Sequence, residues 1–346
     1  MSSKRASAYL ALVVLLTASC TSPDPIPQHT FQGRTMGTTF SVTVVGERLS
    51  ADAAEHLRVA IDDQLASLDA MMSTYDSESE VSRFNAWTSS DWFPVSPETA
   101  TVFLRAREIS EATDGAFDVT VGPLVDAWGF GPPGPQPTAP SDADIARLLT
   151  TVGFEQIEID GLAPAIRKTH VDVRSDLSAV AKGYAVDRVA DLLDRCGYNA
   201  YLVEIGGEIR TRGRRAGGQP WRVGIEQPAD GPFSLQRVIE LSDASLATSG
   251  DYRNYIEGNG VRISHTIDPR TGRPVTHSLA SVSVIDALCV RADALATALE
   301  VLGPDEAYAL ASERGWAALL IIRDDAGTYR ERSTPAFLAR VGISVR

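Results

Sequence analysis

The stretch Asp176–Asp187 reads Asp-Leu-Ser-Ala-Val-Ala-Lys-Gly-Tyr-Ala-Val-Asp, and its pattern decides how the middle of the chain folds. Its apolar residues mostly recur at helical spacing, and the same stripe continues through residues 189–193 to Cys196 and Gly197. Asp176 stands where a helix N-cap is expected. The sequence therefore predicts a helix that begins just after Asp176 and ends near Gly197.

A lysine followed directly by a glycine falls in the first turns of this helix. Glycine costs a helix about 1 kcal/mol relative to alanine, so Gly183 is expected to let another backbone or a ligand come close. Free N–H groups at the helix start, with Lys182 close behind, suit a phosphate group. The alternative is an ordinary capped amphipathic helix with an exposed lysine.

Length and composition place the chain among globular proteins. Its 346 residues suffice for one large or two ordinary domains, with 44% hydrophobic and 22% charged residues. The net charge is −13 and no basic stripe stands out, which argues against a nucleic-acid partner. Internal repeats, GxGxxG and Walker loops are missing from the sequence, so the common dinucleotide-binding and P-loop folds lack support.

The N-terminus has the pattern of an export signal. Lys4 and Arg5 precede an apolar run, and small residues lead to Cys20. This pattern predicts a signal peptide over residues 1–19. The site before Cys20 resembles a bacterial lipobox, which implies a lipidated Cys20 and a tether over residues 20–30 that holds an exported domain at a membrane, facing the periplasm. The alternative is a plain secretory signal with an unmodified cysteine.

Two further cysteines, Cys196 and Cys289, remain after such processing. In an exported protein they either form a disulfide or stay as buried free thiols, and the sequence leaves both open.

The rest of the chain mixes strand and helix patterns. Residues 31–45 alternate as a strand interrupted at 36–39, a polar loop spans 73–85, and a Gly/Pro-rich segment at 129–140 marks a surface loop or a subdomain boundary. Hairpin-like strands packed with helices predict an α+β fold with mixed or antiparallel sheets. Helices are predicted at 51–72, 97–113, 141–150, 291–302 and 304–314, and strands at 155–160, 169–173, 200–205, 208–213, 221–226, 236–241, 261–268, 280–286 and 316–322.

Asp293 and Thr297 lie four residues apart among good helix formers. That spacing puts a carboxylate and a hydroxyl on one helix face, where water and a substrate phosphate complete a shell suited to Mg²⁺. The alternative is that Asp293 caps its helix and Thr297 bonds back to its own turn.

A tight turn after a strand carries His265 and Asp268, within Ser264–Pro274. Histidine is the natural proton carrier near neutral pH, and the nearby carboxylate favours a catalytic role for the pair. The alternative is a structural histidine at a strand end. Three glycine-containing segments, 113–123, 204–208 and 248–252, carry further polar groups. The second is predicted to be a strand interrupted by two glycines, and the third is predicted to be a turn with several hydrogen-bond donors.

Taken together, these segments resemble the ApbE family of FAD:protein FMN transferases. The likeness spans about residues 31–325 and is highly specific as a set. It rests on Met36–Thr39, Ser73–Tyr75, Asp114–Asp118, Asp176–Tyr184, Gly206–Gly207, Ser249–Tyr252, Ser264–His265, Asp268–Pro269, and Asp293 with Thr297.

The resemblance implies a single ApbE-like (T-fold-like) catalytic domain over residues 31–346 that binds FAD and Mg²⁺. FMN would pass to a threonine of an acceptor protein, a redox protein of the membrane or periplasm, and AMP would leave. His265 would assist deprotonation of that threonine, with Asp268 beside it. The implied Mg²⁺ ligands are Asp293, Thr297 and the carbonyl of Ala179; the implied FAD contacts are Met36, Tyr75, Ala116, Phe117, Asp118, Asp176, Lys182 and Ile267.

Two alternatives remain open at this stage. An FAD pyrophosphatase would use the same site with water as acceptor and release FMN and AMP. A flavin-binding lipoprotein without turnover would need neither the Asp293/Thr297 pair nor His265, and both are present.

Overall fold

A computed structural model describes residues 26–136, 138–229, 234–251, 255–258, 261–324 and 326–341. Its strands are β1 (Gln28–Thr35), β2 (Thr38–Val45), β3 (Phe93–Pro94), β4 (Ile157–Ile159), β5 (Ala165–Lys168), β6 (Tyr201–Ile205), β7 (Glu208–Arg212), β8 (Trp221–Glu226), β9 (Leu235–Leu241), β10 (Ser245–Gly250), β11 (Tyr255–Gly258), β12 (Val261–Ser264), β13 (Ile267–Asp268), β14 (Arg273–Pro274), β15 (Leu279–Asp286), β16 (Ala317–Arg323) and β17 (Tyr329–Ser333). Its helices are α1 (Ala51–Met72), α2 (Glu80–Ala86), α3 (Pro97–Ala112), α4 (Gly122–Trp128), α5 (Asp142–Leu149), α6 (Ala181–Arg195), α7 (Cys289–Leu302), α8 (Pro304–Glu313) and α9 (Pro335–Arg340), with short 3₁₀ turns at Val119–Val121 and Phe154–Gln156.

An eight-stranded sheet in the order β1-β2-β6-β7-β10-β15-β16-β17 forms the centre of the molecule. Every neighbouring pair in it is antiparallel. β2 pairs with β6, so the helices between them are inserted without breaking the sheet. The α+β prediction is confirmed, and β1 includes residues 28–30, which the sequence analysis assigned to the tether.

Side chains on the two faces of the sheet enter separate cores, and β16 shows how. Its Ala318, Leu320 and Ile322 pack with α1, α3, α6 and α7, whereas Ala317, Leu319 and Ile321 pack with the β8–β9 hairpin and α9. The alternation follows from the two-residue period of a strand. Because both faces are covered, β16 reads as a continuous apolar run.

Helix α1 matches its predicted bounds because its signals are local. Ser50 caps it by accepting a hydrogen bond from the Ala53 N–H at 3.2 Å. One face buries apolar side chains every three or four residues: Leu57, Ile61, Leu65, Leu68 and Met72.

Helix α6 starts later than predicted. Asp176 is not its N-cap: the Asp176 carboxylate accepts from the Ser178 N–H at 2.8 Å, and α6 begins at Ala181 after Val180. The intervening turn is closed by the N–H groups of Val180 and Ala181, which both donate to the Leu177 carbonyl. An aspartate that bonds its own downstream backbone competes with the helix in this way.

Four other predictions about secondary structure were wrong. The strand expected at 169–173 lies earlier, at β5. The segment 204–208 is not an interrupted strand, because Gly206 and Gly207 form the hairpin turn between β6 and β7 with positive φ angles of 64° and 108°. The polar loop 73–85 contains most of α2, and the donor-rich turn near 248 belongs to β10. Of its motif, Tyr252 lies outside the described residues.

Cys196 and Cys289 are both free thiols, the first exposed and the second buried, which excludes the disulfide. The predicted signal peptide and Cys20 lie outside the described residues. Among the helices described, none has the length and apolar character needed to cross a bilayer.

Candidate active site

Helices α6 and α7 touch at Gly183. A Cβ at this position would lie 2.5 Å from the Cys289 carbonyl oxygen and 2.7 Å from the Asp293 Cβ, so only glycine fits without a shift. The Gly183 N–H donates to Asp293 Oδ2 at 2.9 Å. The glycine therefore makes room for another backbone, which is one of the two uses expected from the sequence.

The Ala179 carbonyl lies in the turn before α6 and accepts no hydrogen bond from any group of the described residues. Gly183 is the third residue of α6, so its N–H has no carbonyl partner inside the helix and donates to Asp293 instead. A backbone oxygen without a donor, next to a buried carboxylate, is a natural ligand for a cation.

Asp293 and Thr297 lie one turn apart on α7, as predicted. The structural alternative was that Asp293 caps its helix and that Thr297 bonds back to its own turn. Asp293 does not cap the helix, because Leu288 holds the N-cap position of α7. The Thr297 hydroxyl pairs with Ser249 Oγ on β10 at 3.0 Å rather than with its own turn. Carboxylate, hydroxyl and carbonyl oxygens are the hard donors that Mg²⁺ takes, so the residues present fit that ion.

Lys182 is held beside this group by a carboxylate that the sequence analysis did not single out. Its Nζ lies 2.7 Å from Glu208 Oε1, and only 3% of the Glu208 side chain is exposed. Burial lowers the pKa of Lys182, but the nearby carboxylates of Asp293 and Glu208 outweigh it and raise the pKa above its ordinary value. Lys182 therefore stays charged, which contradicts the alternative of an ordinary exposed lysine.

Only one of the two carboxylate oxygens of Glu208 has a hydrogen-bond partner among the described residues. Burial raises its pKa to about 7 against the attraction of Lys182, with Asp293 adding to the rise. Its Oε2 is buried and has no hydrogen-bond partner among the described residues. The Glu204–Glu208 segment was noted for its glycines, but only the tertiary contact with Lys182 reveals the role of the carboxylate.

The β1–β2 turn, which carries Met36 at a φ of +46°, closes one side of this group. A Cβ on Gly206 would lie 2.9 Å from Thr38 Cγ2 and 3.3 Å from Lys182 Cδ. The predicted FAD contacts Met36 and Lys182 are thus brought to the same end of the sheet by two tight turns.

A cleft of about 370 Å³ opens beside Asp176. Tyr75 lies next to it, with 73% of the residue exposed and its hydroxyl donating to the Phe130 carbonyl at 3.4 Å. Partial burial, then the negative charges of Asp176 and Asp126, raise the pKa of Tyr75. The lining residues that matter here are Asn85, Gly122, Asp126, Arg174, Ser175 and Asp176.

Phe130 connects Tyr75 to His265. The Phe130 ring centre lies 6.3 Å from the His265 ring centre, in an edge-to-face arrangement. Phe130 falls in the Gly/Pro-rich segment, whose lack of regular structure was predicted but whose place in the site was not. His265 is partly exposed.

Asp268, predicted to act with His265, is engaged elsewhere. Its Oδ1 accepts from Arg270 N and Nε at 2.9 and 3.0 Å, and its Oδ2 accepts from Arg270 Nη2 at 3.1 Å. Its carbonyl accepts from the Thr271 and Gly272 N–H groups. These bonds hold the β13–β14 turn, of which Ile267 is a buried member.

The predicted contacts at residues 116–118 are buried side chains. Ala116 and Phe117 are 1% and 2% exposed within the main core. Asp118 caps the 3₁₀ turn that follows it, its Oδ1 accepting from Thr120 N and Oγ1. Burial raises the pKa of Asp118 to about 6 despite those bonds.

The predicted site residues thus form two adjoining groups. Ala179, Lys182, Asp293 and Thr297 surround the α6–α7 contact. Asp176 lines the cleft, and Tyr75 and His265 both contact Phe130. Asp176 and Ala179 are separated by a single turn, so the two groups share one wall.

Comparison with known proteins finds a matching family and named flavin transferases. Residues 36–320 match the model of the ApbE family. The protein named FAD:protein FMN transferase of Vibrio cholerae serotype O1 is 43% identical over 324 residues, covering 94% of this chain and 95% of the relative. The protein of the same name from Salmonella typhimurium is 38% identical over 334 residues, covering 96% of this chain and 94% of the relative.

Solved structures agree as well. The flavin transferase ApbE from Vibrio cholerae superposes with a TM-score of 0.83 at 41% identity, covering 91% of this chain and all of that one. The apo form of flavinyl transferase ApbE from Pseudomonas stutzeri gives a TM-score of 0.84 at 40% identity, covering 94% of this chain and all of that one. The fold and the site define a flavin-transferase class of protein. The chain belongs to the ApbE family.

Proposed function

We propose that the protein is an Mg²⁺-dependent FAD:protein FMN transferase that moves FMN from FAD onto a threonine hydroxyl of an acceptor protein. The observation that carries the proposal is the convergence of the Ala179 carbonyl, Asp293 and Thr297 beside the charged Lys182. Its family membership and the names of its relatives support the same activity.

In the proposed reaction the acceptor threonine oxygen attacks the FMN-side phosphorus of the FAD pyrophosphate. A new phosphorus–oxygen bond forms to threonine, the pyrophosphate bond breaks, and AMP leaves. Such transfers depend on positioning and on neutralising phosphate charge more than on covalent help from the protein. Mg²⁺ held by Ala179, Asp293 and Thr297 would supply positive charge at the phosphates.

Three side chains of the protein take the other roles in the proposed reaction. Lys182, kept charged and aimed by Glu208, lies where it can meet a phosphate oxygen. His265 takes the threonine proton, since a neutral imidazole is suited to that transfer near neutral pH. Tyr75, whose ring is largely exposed at the cleft, offers a stacking face to a ring of FAD.

The test mixes purified protein with FAD, Mg²⁺ and a threonine-containing acceptor, and follows AMP, free FMN and an in-gel fluorescent acceptor band. Fluorescent acceptor with AMP supports the proposal. Free FMN with AMP would make the protein a pyrophosphatase, and intact bound FAD would make it a flavin carrier; either result contradicts the proposal.

Two variants sharpen this test. Asp293→Ala should lose metal-dependent transfer, and His265→Ala should still bind FAD but transfer FMN about 10²- to 10⁴-fold more slowly, the usual contribution of a general base. Asp305→Ala, an exposed carboxylate on α8, is the matched control and should behave as wild type. Wild-type activity of Asp293→Ala would refute the metal assignment, and unimpaired transfer by His265→Ala would remove that residue from catalysis.

We also propose that the protein is exported as a lipoprotein anchored through Cys20 and faces the periplasm. The basic, apolar and small-residue pattern of residues 1–20 supports this proposal. Its test is fractionation of a Cys20 variant, described in the Discussion.

A further inference from the structure

A second carboxylate on α6 binds the beginning of α7. Asp187, one turn after Gly183 and 3% exposed, accepts from the Cys289 N–H at 3.0 Å through Oδ1 and from the Val290 N–H at 2.9 Å through Oδ2. Helix α7 has no side-chain cap of its own, because its N-cap position is Leu288. A carboxylate at that place satisfies free N–H groups and complements the positive end of the helix dipole.

Arg210 fixes the position of this carboxylate. Its Nη1 lies 2.6 Å from Asp187 Oδ1, and the pair is largely buried. Arg210 stands two residues after Glu208 on β7, on the same side of the strand, so one strand holds the partners of both Lys182 and Asp187.

Two contacts, one helical turn apart on each helix, therefore set how α6 and α7 lie against each other. The first joins Gly183 to Asp293, and the second joins Asp187 to Cys289 and Val290. Together the two contacts fix both the separation and the axial register of α6 and α7 at this junction.

The oxygen atoms assigned to the cation come from both sides of this junction. The Ala179 carbonyl precedes α6, while Asp293 and Thr297 belong to α7. We propose that Asp187 is the positioning residue of the cation site, which it serves by clamping the start of α7 against α6. This inference rests on the proposed assignment of Ala179, Asp293 and Thr297 as Mg²⁺ ligands.

The decisive variant is Asp187→Asn in the full chain. Asparagine keeps the size of the side chain but removes the charge and turns one of the two acceptor atoms into a donor that faces a backbone N–H. The measurement is Mg²⁺ titration by calorimetry without FAD or acceptor, with the melting temperature recorded at each Mg²⁺ concentration. We expect the dissociation constant for Mg²⁺ to increase about 10- to 100-fold, which is the usual effect of losing a group that orients metal ligands.

Asp194→Asn is the matched control. Asp194 lies on the same helix and is bound by the Tyr201 hydroxyl at 2.8 Å and by Arg212, so the variant also removes an ion pair. Its partners belong to β6 and β7 rather than to α7, and we expect wild-type Mg²⁺ affinity.

Each outcome decides the inference. Unchanged Mg²⁺ affinity in folded Asp187→Asn overturns it while leaving the ligand assignment intact. Wild-type protein that binds no Mg²⁺ overturns the assignment and the inference together. If Asp187→Asn does not fold, Arg210→Gln decides, because it keeps the bonds to α7 and removes only the cation that holds Asp187: weaker Mg²⁺ binding supports the inference and wild-type binding overturns it.

Discussion

At the scale of single residues, Lys168 shows how one buried charge shapes the cleft. Its side chain is fully buried, with Nζ donating to the carbonyls of Asn85 at 3.1 Å and Val173 at 3.2 Å. The Asn85 amide in turn bonds both the N–H and the carbonyl of Ser175. Through these bonds Lys168 and Asn85 connect α2 to the chain segment that lines the cleft and ends at Asp176.

Burial, with a smaller contribution from Arg174, lowers the pKa of Lys168 to about 8 from 10.5. Between these two pH values the unfolded chain binds more protons than the folded one, so the free energy of unfolding should rise as the pH increases from 8 to 10.5. Below pH 8 the cost of burying the charge is present in full. Lys168→Met should lack this rise.

Urea unfolding at several pH values measures the difference between this variant and wild type. Arg167→Met, next to it on β5 and partly exposed beside Glu158, is the control and should keep the wild-type slope. A rise of wild-type size in Lys168→Met would show that Lys168 does not titrate in this range.

At the scale of elements, the α6–α7 contact depends on Gly183. Alanine would favour the helix by about 1 kcal/mol, so propensity alone predicts a more stable Gly183→Ala protein. The added Cβ meets the Cys289 carbonyl and the Asp293 Cβ, both parts of a packed helix that cannot rotate away. Overpacking of this kind costs about 1–3 kcal/mol, and we expect net destabilisation with weaker Mg²⁺ binding.

The melting temperature and Mg²⁺ titration of Gly183→Ala test this expectation. Gly46→Ala is a suitable control, because a Cβ there meets nothing within 4 Å. A Gly183→Ala protein as stable as wild type would mean that α7 yields at this point and that the close approach is not required.

At the scale of the whole molecule, the sequence predicts what local signals determine. Helix α1 is bounded correctly because Ser50 and its own apolar stripe define it. The pairing of β2 with β6 across six helices is not encoded in either strand. Polar β10 was missed because its Thr248 and Ser249 find hydroxyl partners only after β15 and α7 pack against it.

The candidate site likewise contains residues that the sequence identifies and residues that only the folded structure reveals. The spacing of Asp293 and Thr297 is visible in the sequence, and so is the unusual Lys182–Gly183 pair. Glu208 and Asp187 acquire their roles from partners 26 and more than 100 residues away, so no local pattern identifies them. Phe130 was hidden for another reason, since a Gly/Pro-rich segment predicts only the absence of regular structure.

The proposed lipid anchor is also tested on the whole molecule. Cys20→Ser should remove the lipid site and move the protein from the membrane fraction to the soluble periplasmic fraction, with transfer activity retained because the catalytic domain is untouched. Immunoblots of fractionated cells measure this, with Cys196→Ser as the control cysteine variant. Membrane association of Cys20→Ser equal to wild type would refute lipid anchoring through this residue.

The hydrogen bond from Gly183 to Asp293 gives one carboxylate two uses. Gly183 is the third residue of α6, so its N–H has no carbonyl partner inside that helix. By accepting this N–H, Asp293 satisfies a buried donor at the start of α6 and joins the two helices. A substitution of Asp293 therefore removes a contact between α6 and α7 together with a proposed Mg²⁺ ligand.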